Sequence, residues 1–270
     1  MGELHDFFIE KLKISNMKTN IKTLIVCGLA TTIVFASCQK DMLNSEQYAG
    51  ILDVSTDGTS TVINQNMYSA FVEAPDLTGL ELTTLLKMKD EEKLARDVYA
   101  SLYQKWNSPV FSRISYAENN HLNAIVNILK YYEQADTLVG ETGVFADNEM
   151  QNLYNELLSK GSVSIEEAYK TGALIEEMDI KDLNNALAET SNANISMVYE
   201  NLVKGSRNHL RSFYKQLNNA GAIYTPIYLS EDEYNQIVTS PIEKGKQYQM
   251  KGKGNGTCDG SGKGKRKGKN

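Results

Sequence analysis

Apolar residues recur at threes and fours through four segments between about Leu80 and Leu217, the spacing of amphipathic helices that share a core. The first segment, about Leu80 to Trp106, turns Leu85, Met88, Glu92, Ala95, Tyr99 and Leu102 inward and stops at the turn signal Asn107-Ser108-Pro109. The second runs from about Phe111 to Tyr132. Its stripe reads Ile114, Glu118, His121, Ile125, Ile128. The third starts at Ser164, where Ser164 and Glu167 have capping-box spacing, and continues through Ala168, Gly172, Ile175, Glu176 and Asp179 to about Leu187. The fourth, about Asn192 to Leu217, carries Ile195, Val198, Leu202, Gly205, His209, Phe213 and Gln216 on one face and ends at Asn218-Asn219-Ala220-Gly221.

A long connection from Glu133 to Ser162 separates the second helix from the third. Gly140 and Gly143 break it, and Asn148 to Ser159 has the pattern of a short extra helix. The order is helix, short turn, helix, long crossover, helix, modest turn, helix. The expected fold is all-α, a ferritin-like four-helix bundle with one long crossover. No segment has the pattern of a β-sheet, although Thr61-Val62-Ile63 suits one short strand.

Polar residues interrupt the apolar stripes in one recurrent way. Glu118 and His121, three apart, share a helix face where a core expects hydrophobic side chains. Burying them unpaired would cost several kcal/mol. Glu92 with neighbouring Glu91 on the first helix, Glu176 and Asp179 with neighbouring Glu177 on the third, and His209 on the fourth complete a candidate set. Carboxylates bridge hard cations and imidazole fixes them at one side, so this donor mixture suits a dinuclear metal site. The bland alternative is a bundle in which Arg96, Arg207 or Arg211 pairs the acids. Glu91, Glu177 and Glu200 are expected to be solvated surface charges, and Trp106 to cap the bundle end. The chain has three His, and only His121 and His209 fall on inward stripes.

The ends of the chain differ from its middle. Lys18 and Lys22 precede an apolar run from Thr23 to Ala36 of signal-peptide length, which ends in Phe35-Ala36-Ser37-Cys38. Small residues before a Cys resemble a bacterial lipobox, with Cys38 as the lipidated residue, and Met17 is a better start for this signal than Met1. The expected map is a lipoprotein signal over 1–37, a tether over 38–79, the bundle over 80–228, an extension over 229–243 and a disordered Gly/Lys-rich tail over 244–270. The expected location is the bacterial cell envelope, lipid-anchored to the outer membrane; the face exposed is open. Nine Lys or Arg against Asp259 give the tail +8; at −6 overall, the rest of the chain carries −14. Such a tail suits a polyanion, and a solvated tail without a partner is the alternative. The three Cys form no CxxC and no zinc framework.

Four stretches carry a family resemblance: Glu91-Glu92-Lys93-Leu94-Ala95-Arg96-Asp97-Val98-Tyr99, Ile114 to His121, Ala173 to Leu183, and Gly205-Ser206-Arg207-Asn208-His209-Leu210. Together they resemble the ferritin-like family named domain of unknown function 2202, over roughly Leu80 to Tyr228. The resemblance extends to rubrerythrin-type dimetal-carboxylate proteins. It implies that Glu92, Glu118, His121, Glu176 and His209 hold the metal, with Asp179 at the place of a movable extra acid and Tyr99 beside the ligands. Ser206 stands where the last Glu-x-x-His would have its acid, so the second ion is under-liganded. Two irons are the expected cofactor, with other divalent metals as alternatives. The expected chemistry is ferroxidase or peroxide scavenging with peroxide or dioxygen and an external electron donor, because no rubredoxin-like Cys pairs are present. A non-catalytic metal-binding or structural scaffold is the alternative, and a homodimer is left open.

Overall fold

Thr78 starts the first long helix because its hydroxyl accepts the Glu81 N–H while Glu81 reaches back to the Thr78 N–H, a reciprocal capping box. The computed structural model describes residues 48–55, 59–135, 139–245 and 247–249. The proposed lipidation site Cys38, the signal segment and nearly all of the basic tail lie outside the described residues. Seven helices are described: α1 (Asn64–Ala70), α2 (Gly79–Trp106), α3 (Pro109–Tyr131), α4 (Asn148–Gly161), α5 (Ile165–Glu189), α6 (Ala193–Asn219) and α7 (Glu231–Thr239). The chain is mostly helical and of the all-α class. None of the described helices is long and apolar enough to cross a membrane.

α2 turns sharply into α3. Asn107 closes α2 in the left-handed conformation, φ 49°, and Pro109 opens α3 at a position that needs no N–H donor. α2 packs on α3, α5 on α6, α2 on α5 and α3 on α6, so the four long helices close into a ring. In their interior, Tyr99, Phe111 and Phe213 pack with tilted rings, centroids 5.4–6.3 Å apart. Gly172 lets α5 approach this cluster, since a Cβ there would sit 2.4–2.7 Å from the Phe213 ring. The crossover is pinned to α2: Lys93 pairs with Asp97 at 2.6 Å and donates to the Glu141 carbonyl, and Gly143 N–H donates to Asp97.

Three local expectations need correction. Ser164 accepts the Glu167 N–H, but Glu167 turns to Lys170 at 2.8 Å, so the capping box is only half formed. Glu91 and Glu177, expected in solvent, are buried. Glu91 faces Lys87 at 3.1 Å, and the Glu177 Oε2 accepts the N–H groups of Ile227, Tyr228 and Leu229, tying the C-terminal extension to α5. Within the span read as a tether, the structure forms β1 (Tyr48–Gly50), β2 (Leu52–Val54), β3 (Ser60–Val62) and α1. β2 pairs antiparallel with β3, Leu52 opposite Val62, and β1 pairs antiparallel with β4 (Gln247–Gln249). β3 packs on α3 and α6, and Asn194 of α6 clasps the Val72 backbone through both its amide atoms. The strands are three residues long, and the partner of β1 lies about two hundred residues away, so little local alternation announces them.

The Glu177 clasp yields a stability prediction. Glu177→Ala would strand three backbone donors, one of them in buried Leu229, and should cost about 2–4 kcal/mol. Urea unfolding measures this; a change below about 0.5 kcal/mol would mean that water replaces the carboxylate.

Candidate metal centre

Each of the four long helices delivers a donor to one enclosed point. α2 supplies Glu92, α3 Glu118 and His121, α5 Glu176 and Asp179, and α6 His209; none of these side chains is more than 4 % exposed. Heptad and i, i+3 spacing turn the donors inward with the apolar residues that flank them. Glu118 is central. Its Oε2 lies 2.8 Å from His121 Nδ1 and its Oε1 2.7 Å from His209 Nδ1. Glu92 Oε2 is 3.4 Å from His121 Nδ1, and Glu176 Oε2 is 3.6 Å from His209 Nδ1. The two imidazoles lie nearly parallel, centroids 5.3 Å apart. Asp179 is close enough for Glu92, Glu176 and Glu118 to act on its charge.

These contacts are short yet not aligned as hydrogen bonds. Glu92 Oε2, both Glu118 oxygens, both His121 nitrogens, Glu176 Oε2, Asp179 Oδ2 and His209 Nδ1 are buried without a hydrogen-bond partner. So many orphaned acceptors in one place would be costly as a protein interior. Two ligand atoms each about 2.1 Å from a cation and at right angles lie about 3 Å apart, close to the spacings found here. Glu118, His121 and His209 offer ligand atoms that all lie within 4.8 Å of one another. Four carboxylates would balance two divalent cations, with both imidazoles neutral. The donor set fits metal. The arginines do not serve the acids: Arg96 pairs with Asp97, and Arg207 and Arg211 pair with Glu243.

Surrounding groups fix the donors. Tyr99 donates to Glu176 Oε1 at 2.7 Å and lies 3.2 Å from the Gly172 carbonyl. Ser206, on the site face of α6, bonds back to the Leu202 carbonyl at 3.2 Å and so brings no substitute for a carboxylate. Two residues escaped sequence reasoning. Gly205 makes room for His121, for a Cβ there would lie 2.6 Å from two atoms of the ring. Its position one turn before His209 on an inward face was the available signal. Ser60, whose carbonyl is 2.8 Å from His209 Nε2, gave no signal because it sits in a polar segment 149 residues away.

Protonation follows from burial opposed by charge. Burial pushes Glu92 up to about 8, against the pull of His121. Burial, and then the Glu118 charge, push Glu176 up to about 7. Burial and the neighbouring carboxylates drive Asp179 well above the usual range. For Glu118 burial also acts upward, but the two facing imidazoles prevail and hold it below the ordinary carboxylate value. Burial opposes a charged His121, yet Glu118 and Glu92 raise it to about 9; His209 is raised well above its usual value by Glu118 and Glu176.

Residues 81–241 match the family described as Uncharacterized protein domain (DUF2202). Uncharacterized protein MJ0754 of Methanocaldococcus jannaschii is 45% identical over 162 residues, which span 60% of this chain and 88% of that protein. The crystal structure of hypothetical protein MJ0754 from Methanococcus jannaschii DSM 2661 superposes with a TM-score of 0.62 at 42% identity, covering 64% of this chain and 99% of that one.

The close approach at Gly205 is testable. Gly to Ala inside a helix ordinarily stabilises by about 1 kcal/mol. Gly205→Ala should instead destabilise by about 1–3 kcal/mol, because the added methyl overlaps a ring enclosed on all sides. A lowered melting temperature is the expected readout; a raised one would show that His121 can move aside.

Proposed function

The chain belongs to the DUF2202 family, and from that premise we propose that it is a ferritin-like metalloprotein holding a dinuclear carboxylate site, with iron as its metal and peroxide or dioxygen as its oxidant. One observation carries the reading: Glu118 aims its two oxygens at two different imidazoles, and none of these atoms has a hydrogen-bond partner. A bridging carboxylate between two ion positions accounts for both facts.

Glu92, Glu118 and His121 would hold one ion, and Glu118, Glu176 and His209 the other, with Asp179 in reserve where Ser206 supplies no acid. Iron bound there would supply one-electron exchange with the oxidant. The chain's own residues do the rest. Tyr99 orients Glu176 through its hydroxyl. Burial of Glu92, Glu118, His121, Glu176, Asp179 and His209 keeps bulk water out. Reducing equivalents come from a separate donor. We place the protein at the cell envelope through lipidated Cys38, with the basic tail as a polyanion-binding element.

A second reading is favoured by two particulars, the complete burial of the donors and the serine at 206. In that reading the site holds one ion or none, and the protein is a non-catalytic scaffold. Metal analysis and anomalous scattering at the iron edge on protein purified without chelators distinguish the two. Close to two irons per chain, with peroxide consumption, is expected; both should be lost in Glu118→Ala. One ion or none, without turnover, would leave the scaffold.

Metal uptake should also depend on pH in a defined direction. Glu176, Glu92 and His121 hold protons in the metal-free protein up to about 7, 8 and 9. All three lie above their ordinary values of 4.5 for the carboxylates and 6.5 for the imidazole, so the protonated groups' contribution to the metal-free fold is full below those values and is lost progressively as pH rises from about 4.5 through 9. Cations must displace those protons, so affinity should rise across the same window. Melting temperatures between pH 6 and 9.5 should fall for chelator-stripped protein and hold for loaded protein; parallel curves would contradict the assignment.

A further inference from the structure

β2 and β3 carry Ser60 to the outer edge of the His209 ring. Ser60 is fully buried. Its carbonyl lies 2.8 Å from His209 Nε2, whereas its N–H lies 3.3 Å from the same atom. Ser60 thus offers Nε2 both an acceptor and a donor, the ring's tautomer decides between them, and the shorter contact is the one to the carbonyl. The opposite ring nitrogen, Nδ1, faces Glu118 and Glu176. Asn208, next to His209 on α6, holds Ser60 in place: its Nδ2 donates to Ser60 Oγ at 2.6 Å and to the Glu243 carbonyl at 2.9 Å. The other amide atom, Oδ1, accepts from Arg211 Nη1 at 2.8 Å and from Glu243 N–H at 2.9 Å. Every hydrogen-bonding position of this buried amide is therefore filled. The Glu243 carboxylate is gripped by Arg207 in two parallel bonds of 2.6 Å and by Arg211 at 3.0 Å.

We infer that Ser60, clamped by Asn208, is the positioning residue for His209: its main-chain carbonyl takes the Nε2 proton, which leaves Nδ1 as the electron-pair donor to a cation. The inference rests on the metal reading above. A ring whose Nε2–H is engaged by a carbonyl can offer a metal only its other nitrogen, and its plane is fixed by the same bond. Ser60 and Glu243 both lie outside residues 81–241, so the partner of a donor inside the family region comes from its flanks. The two flanks meet again where Gly245 presses on Leu52, with no room for a Cβ at 245. A positioning role explains why a serine of this hairpin is fully buried alongside buried Leu52 and Val62: its backbone completes a side chain's hydrogen bonding, and its own hydroxyl is completed by Asn208.

The full-length protein, labelled with ¹⁵N-histidine and loaded with zinc as a diamagnetic probe, tests this; with three histidines the long-range ¹H–¹⁵N spectrum is readily assigned. His209 should show a protonated Nε2 and a metal-bound Nδ1. Ser60→Ala and Asn208→Ala should each weaken one zinc ion about 10–100-fold in competition with a chromophoric chelator and spare the other. The Nε2–H should exchange with solvent about tenfold faster in both variants. Ser60→Ala removes a single hydroxyl and carries the test if Asn208→Ala does not fold. A proton on Nδ1 in the loaded protein would overturn the proposal. So would folded variants whose affinities and exchange rates stay within about twofold of the parent. Zinc binding absent from the parent would overturn the metal reading alone. In that case Nε2–H exchange, protected in the parent and fast in the variants, would still sustain the role of Ser60.

Discussion

Four carboxylates enclosed among helices are the constraint around which the protein is arranged. An ionised acid without a partner in such a place is far costlier than any single apolar contact is worth. The fold meets this by convergence. Glu118 lies between two imidazoles, Glu92 and Glu176 face the same Nδ1 atoms of His121 and His209, and Tyr99 steadies Glu176. Without cations, protons must do the neutralising, and the raised affinities of Glu92, Glu176 and Asp179 for protons express that demand. On the reading proposed above, two divalent ions take over from those protons.

The packing serves this centre. Gly205 thins α6 where His121 needs space, and Gly172 thins α5 where Phe213 does. Each is a place where the backbone gives way to a ring. The cations that might have neutralised the acids are occupied elsewhere: Lys93 and Arg96 surround Asp97 and secure the crossover, while Arg207 and Arg211 hold Glu243. The arginines pair with acids outside the carboxylate centre, and the Arg207–Arg211–Glu243 group reaches it through Asn208 and Ser60.

The helices and the donors were legible in the sequence for one reason: both follow the 3.6-residue period. Apolar spacing located α2, α3, α4, α5 and α6 to within a few residues, and Glu118 and His121 drew notice by standing where that period demands hydrophobic side chains. Glu91 and Glu177 were misjudged because a charged residue beside an inward position looks solvated unless its partner is known. The partners of Glu177 are three backbone N–H groups fifty residues away. The hairpin at Ser60 was invisible for the same reason, compounded by its length. Three-residue strands have too little alternation to detect, and their burial combines Ile51, Leu52 and Val62 in the core with hydrogen bonding to α6.

That failure of legibility has a physical consequence. Helical donors are placed by their own helices, but the outer edge of His209 is completed by a strand that belongs to none of them. The Ser60 hydroxyl on that strand is held by the Asn208 amide, which is shared with the segment leading toward the basic tail. A hydrogen bond that orients a ligand contributes through geometry, so a displacement of a few tenths of an ångström at Ser60 would reach the site while the helices stayed in place. Both flanks of the family region therefore bear on one imidazole. A chain trimmed to its helices would keep every donor and lose the group that decides which nitrogen of His209 donates.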